Sequence, residues 1–327
     1  MAPSGRKIRT AVALLGALLT AGPITAQLGK WEVSGLLGVL PPVVLDKSPI
    51  VAQIRDRLSL LQLSEAQELA ASLTSQEAQN YEGYFWTGFV EFQRGSWYSA
   101  VRHLRQAEKL RPPGNAVQKV LGLAYLELGQ NLLFQLKMKE AIGLDPADFS
   151  PHYCLGRYLQ SHKKHHEEAA QHYRLVVERK PDHYEALYYL GLASEAAGDM
   201  TQAKALYQRA PIASAHAGRT FSLPYQGLSR LDRLSNLPES ALKFASQAVS
   251  LEPKLPDNQL ELAKVYVALG RLSEAVDAFK TSLALDPTQS SPYYQLFTLY
   301  RRLGDGKAAE QVLAEFKGIT ACYGKDE

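Results

Sequence analysis

Apolar residues recur three or four apart along most of the chain, the spacing of one face of a helix, and the runs are broken at regular intervals. In residues 256–289, Leu262, Ala263 and Tyr266 share one face of a first helix, and Gly270 ends it. Ala275, Phe279 and Leu283 then mark one face of a second helix, which Asp286-Pro287 stops. The pattern predicts a helical hairpin. The same grammar occupies 81–114, 115–148, 149–183, 184–217, 222–255 and 290–323, and a degenerate hairpin precedes them at 47–80, with Ala66, Leu69 and Leu73 on its second helix.

The repeat length is the strongest signal. Small residues at Gly88, Gly122, Gly156, Gly191, Ser229 and Ala263 are separated by 34, 34, 35, 38 and 34 positions. Prolines at 112, 146, 181, 253 and 287 keep the same beat. Such a period marks stacked helical hairpins, each of which buries its apolar face only against its neighbours. The small residues let the two helices of a hairpin approach closely, and larger ones fill the groove to the next hairpin.

These residues make the chain similar to the tetratricopeptide repeat family over about 47–323. The resemblance implies an all-α fold, a right-handed superhelical α-solenoid of helix-turn-helix repeats, whose first helices line a concave face. Three departures from the pattern carry expectations. Phe134 stands where other units have alanine and predicts a splayed or shifted helix pair; Phe297 replaces the small residue of the last unit. The joint Pro211–Phe221 is four residues too long and is read as a connection, with a bend there. Only residues 324–327 follow the last unit, so its second helix is expected to supply its own polar outer face.

Composition changes the picture chiefly at the N-terminus. Arg6, Lys7 and Arg9 precede an apolar run over residues 10–21, followed by Gly22-Pro23 and Ile24-Thr25-Ala26, the order of a secretory leader cleaved after Ala26. The run falls short of the roughly twenty residues that span a bilayer, so an uncleaved anchor is the lesser reading. Removing the three basic residues takes the formal charge from +3 to zero. A neutral mature chain gives no global attraction for nucleic acid or anionic membrane. Residues 27–46, with Trp31, three glycines and paired prolines, read equally as a cap on the first helices or as an irregular terminus. Cys154 and Cys322 lie too far apart along a solenoid to pair; Cys154 falls on a buried pattern, and Cys322 is available for an intermolecular bridge.

Candidate chemistry lies on the non-core positions of the first helices. Phe85, Phe89 and Phe92 with Lys119, Tyr153, Arg157 and Tyr188 give an aromatic N-terminal half. Arg230, Arg233, Lys264, Tyr294, Arg301 and Arg302 give a basic C-terminal half, interrupted by Glu127, Glu195 and Glu261. Guanidinium forks grip carboxylates and aromatic rings give rigid contact area, so this face is expected to take a peptide or protein partner with acidic groups. The lysine–asparagine clamp with which one branch of the family holds chaperone tails is missing: its places carry Phe85, Phe89, Val120, Ser150 and Cys154.

Six of the eight histidines fall within 152–183, and His162, His165 and His166 offer nitrogen ligands to zinc or copper. Lys163 and Lys164 oppose a cation there, and no cysteine or carboxylate pair completes the set, so a solvated turn is the reading and no metal or cofactor is expected. The chain carries no Gly-rich phosphate loop, nucleophile elbow or His-Glu-x-x-His motif, and the repeats leave no room for a separate catalytic domain. The expectation is a non-enzymatic interaction scaffold, exported to the periplasm, cell envelope or secreted space. The competing expectation is an accessory or regulatory subunit of an envelope enzyme or of secretion or polysaccharide machinery.

Overall fold

The computed structural model describes residues 49–76, 80–110, 114–160 and 165–323, without the side chains of residues 76 and 320–323. The leader, the 27–46 segment, His162, Pro112 and the Cys322 side chain lie outside that description. Among the described residues there are sixteen helices and no strand. They fall into two compact units that divide after Arg179. The first unit holds α1 (Pro49–Ser59), α2 (Leu63–Gln76), α3 (Tyr81–Gln93), α4 (Trp97–Leu110), α5 (Asn115–Glu127), α6 (Asn131–Leu144), α7 (Ser150–Gln160) and α8 (His166–Arg179). The second holds α9 (Tyr184–Ala196), α10 (Met200–His216), α11 (Leu223–Leu234), α12 (Pro238–Leu251), α13 (Pro256–Ala268), α14 (Leu272–Leu285), α15 (Ser290–Arg302) and α16 (Gly306–Tyr323). Each unit is a stack of helical hairpins, so the architecture is the all-α solenoid type.

Each hairpin follows from local chemistry. The Asn80 carboxamide accepts from the backbone N–H groups of Glu82 (3.0 Å) and Gly83 (3.1 Å) and so starts α3. At its other end, Ser96 N–H donates to the Glu91 carbonyl at 2.9 Å across Gly95, whose φ is +78°. Asn236 holds the equivalent turn in the second unit at φ +57°, its short polar side chain being among the few that tolerate the left-handed region. Helix α4 then buries Ala100, Leu104 and Ala107 and turns Arg102, Arg105 and Lys109 to solvent.

Two sequence expectations are corrected here. The α5–α6 pair is not splayed by Phe134. A Cβ on Gly122 would lie 3.4 Å from the Phe134 carbonyl oxygen, and the same construction on Gly88 lies 3.2 Å from the carbonyl of Ala100, the equivalent residue. Phe134 turns its ring out of its own hairpin to Tyr158 of α7, with ring centres 5.2 Å apart, and is fully buried there. Residues 211–216 are not a connection either: they continue α10, with Pro211 inside the helix. Ala213 and Ser214 give this extra length a buried face, and the Ser214 hydroxyl donates to the Pro211 carbonyl at 2.9 Å. The turn comes at Gly218, φ +64°. The last helix, α16, buries Ala309 and Val312 and exposes Lys307, Glu310, Gln311, Glu315 and Lys317, a polar outer side.

Candidate functional site

In the first unit the expected groove residues are mostly structural. Phe85 and Phe89 are buried, each packed edge-on against the Trp86 indole (ring centres 5.2 and 5.8 Å), and Phe92 is buried as well. They are core residues, because α3 is packed on every side and none of its residues is exposed. Lys119 is also buried. Its ammonium donates to Asp148 Oδ2 at 2.6 Å and to Ser150 Oγ at 3.2 Å, which ties α5 to the start of α7. Burial works to raise the Asp148 carboxyl, but Lys119 and Ser150 together hold it below its ordinary value. Tyr153 is buried too, and its hydroxyl accepts from Arg157 Nη1 at 3.0 Å.

The histidine-rich stretch is taken apart by the fold. His152 and His172 are drawn together across α7 and α8, Nδ1 to Nδ1 at 2.9 Å, and burial pushes His152 down to about 4. His165 and His166 stay exposed, His165 beside Glu168 at 3.2 Å. Among the described residues no group of three or more histidine, cysteine, aspartate or glutamate side chains is placed to hold a metal ion. The Cys154 thiol is pushed up to about 12 by burial, far from reactive.

The second unit assembles a polar network on its first helices. Arg230 of α11 grips Glu195 of α9 with both arms of its fork, Nε to Oε1 at 2.6 Å and Nη2 to Oε2 at 2.7 Å. The Tyr207 hydroxyl donates to Glu195 Oε2 at 2.7 Å. Burial works to raise the Glu195 carboxyl, but the Arg230 and Tyr207 bonds outweigh it and hold it below its ordinary value. Tyr188 is buried, its ring edge-on to Phe221 at 5.5 Å. One turn further along α11, Arg233 Nε donates to Glu261 Oε1 at 3.1 Å, and the Ser229 hydroxyl donates to the same oxygen at 3.2 Å. Two of the three acidic residues that interrupt the pattern, Glu195 and Glu261, are therefore internal partners of the basic face. Carboxylates recurring on first helices at nearly two repeat lengths, Glu195 and Glu261, were the sequence signal for this network.

Lys264 remains. It lies half-buried on α13, one turn from Glu261, and among the described residues no carboxylate stands within ion-pair distance of its ammonium. Burial holds its amine below the ordinary value; Glu261 opposes this most among the neighbouring charges, Arg233 and Arg230 push the same way as burial, and Asp257 pulls back least. Two arginines are paired directly with two glutamates, whereas Lys264 feels Glu261 and Asp257 only from beyond ion-pair distance and is the cation of the cluster left without a direct partner. Tyr294 is 68% exposed, and Arg301 and Arg302 are exposed at the end of α15; no described hydrogen bond or ring contact joins them to the network. The network thus brings together Tyr188, Arg230, Arg233 and Lys264, and leaves Tyr294 and Arg301 apart.

Family models described as tetratricopeptide repeat match residues 155–217 and 235–296. No curated protein matches the chain significantly. Among solved structures, the C-terminal part of a TPR repeat-containing protein from Cytophaga hutchinsonii is similar at TM-score 0.55 and 16% identity, over 74% of this chain and 97% of that one. PilW, described as a widely conserved type IV pilus biogenesis factor, is similar at TM-score 0.55 and 19% identity, over 66% of this chain and 98% of its own. The Cut9–Hcn1 hetero-tetramer of the APC/C is similar at TM-score 0.59 and 13% identity, over 88% of this chain and 56% of that one. At these identities the likeness is one of fold. Two segments of the chain thus match tetratricopeptide repeat models, and the hairpins of both units share the fold of the solved repeat proteins.

Proposed function

We propose that the protein is a non-catalytic scaffold that holds a peptide segment of a partner protein against the first helices of its second unit, and that a partner carboxylate docks on Lys264. The observation that carries this reading is the half-buried Lys264 ammonium, left without a direct partner beside Arg230 and Arg233, which are already engaged by Glu195 and Glu261. A carboxylate arriving there pairs with a charge whose desolvation the fold has already met, and the paired arginines hold the surrounding surface rigid. Aromatic Tyr188 and exposed Tyr294 extend the same helix layer. The basic, apolar, small-residue order of 1–26 supports an exported protein of the envelope or secreted space, with a mature chain beginning at Gln27. Among the described residues no helix is long and apolar enough to cross a membrane.

The test is a titration of the mature protein with a panel of acidic peptides and their amidated counterparts. Acidic peptides are expected to bind, and Lys264→Met is expected to weaken them by about tenfold, the worth of one charge-assisted hydrogen bond. Equal binding of acidic and amidated peptides, or indifference to Lys264→Met, sinks the assignment.

A further inference from the structure

The second helices of the first unit carry a surface that the first-helix face does not explain. On α6, Leu132 is 83% exposed, Leu136 49% and Leu133 38%, although a second helix in this fold normally turns polar residues outward. On α4, Tyr98 is 79% exposed, and Arg102, Arg105 and Lys109 follow it along the same side. The two stripes are neighbours in register. Leu132, Leu136 and Lys139 stand 34 residues after Tyr98, Arg102 and Arg105, and Lys137 Nζ on α6 is bonded to Glu108 Oε1 on α4 at 2.9 Å, which ties the helices side by side. At the corresponding positions of the next second helix, α8, stand Glu167, Gln171 and Arg174, an ordinary solvated face.

We propose that this α4–α6 face is a second docking surface, and that its occupant is an acidic amphipathic segment of a partner protein, whose apolar side lies on Leu132, Leu136 and Tyr98 while its carboxylates meet Arg102, Arg105, Lys109 and Lys139. Charge selects the occupant. Among the described residues no carboxylate lies within ion-pair distance of Arg102, Lys109 or Lys139, whereas the acidic residues between the stripes, Glu108 and Glu140, are both engaged by Lys137. Exposed leucines bordered by unpaired cations are complementary to leucines bordered by carboxylates. Shape favours a peptide over a lipid surface. Along the α3–α4 edge of this face, Tyr84, Tyr98, Arg102, Arg105 and Lys109 line an open recess of about 560 Å³, a relief that a peptide can follow and a flat bilayer cannot. Glu108 and Glu140 also lie inside the patch, where an anionic bilayer would press against them and a peptide can step past them.

The proposal is tested by fluorescence polarisation with a labelled helical peptide in which leucines repeat on one side and glutamates on the other. A scrambled peptide of the same composition is the control. Binding is expected for the segregated peptide, weakening with added salt because the cations are exposed. Arg102→Glu with Arg105→Glu, and separately Leu132→Asp with Leu136→Asp, are each expected to weaken it by at least about tenfold. These positions are solvent-facing, so the variants keep the helical circular dichroism of the parent. Because both peptides are acidic, every titration is run in the Lys264→Met background, which disables the first-helix site and leaves this surface as the one read. Absent binding, equal binding of the scrambled peptide, or insensitivity to both double variants overturns the proposal. So does sedimentation with phosphatidylglycerol vesicles in place of peptide binding, or a self-association that Leu132→Asp abolishes.

Discussion

Glu127 shows how a single residue can set a pH response in this fold. It lies at the end of α5, half-buried, and burial raises its carboxyl to about 7 from an ordinary 4.5. No ion pair relieves it among the described residues. Because its folded-state value is raised, the stability it contributes is complete below pH 4.5 and is lost as pH climbs through about 7. Glu127→Gln, which mimics the protonated acid, is therefore expected to match the parent in denaturant midpoint near pH 4.5. At pH 8 it should be more stable by about 1–2 kcal/mol, a figure reduced from the full shift because the group keeps some contact with water. Parallel pH profiles for the two proteins would contradict this. At this scale the sequence was only partly legible. The first-helix position of Phe85, Phe89 and Lys119 was readable, but not that their helices would bury them, since burial depends on neighbouring hairpins as much as on the residue itself.

At the scale of elements, close approach between helices decides where side chains can be changed. The Tyr207 ring of α10 lies between two glycines on two helices. A Cβ on Gly191 of α9 would come within 2.6 Å of Cε1, and a Cβ on Gly227 of α11 within 2.6 Å of Cε2. The ring cannot retreat from one without striking the other, and its hydroxyl is fixed to Glu195. Gly227→Ala is expected to lower stability by about 1–3 kcal/mol, the usual cost of overpacking. Gly143→Ala, inside α6 with open space around it, is expected to stabilise by about 0.5–1 kcal/mol because alanine loses less conformational entropy on folding. Chemical unfolding of the two variants checks both signs. The period itself was legible because Gly95, Gly129, Gly198, Gly270 and Gly304 repeat the same turn and the small-residue contact between paired helices recurs with them. The reading of 211–216 as a connection failed because a proline was taken as a stop. Pro211 is tolerated where Ala213 and Ser214 give the helix something to bury beyond it.

For the molecule as a whole, repetition fixes architecture and leaves function to the places where the repeats differ. In the second unit the difference is a row of first-helix arginines paired with glutamates of neighbouring first helices, beside one lysine left unpaired. The basic residues of that row were visible in the sequence. Their neutralisation was not, because Arg230 and Glu195 lie 35 positions apart and meet only when hairpins stack. The most direct measurement of the central claim is the titration of the Lys264 ε-methylene resonance by NMR, in the free protein and with a saturating acidic peptide. The free amine is expected to titrate below the ordinary lysine value, and the bound one to move up, since an arriving carboxylate favours the ammonium. An amidated peptide should leave it in place. A Lys264 resonance that titrates identically with and without bound acidic peptide would contradict the account.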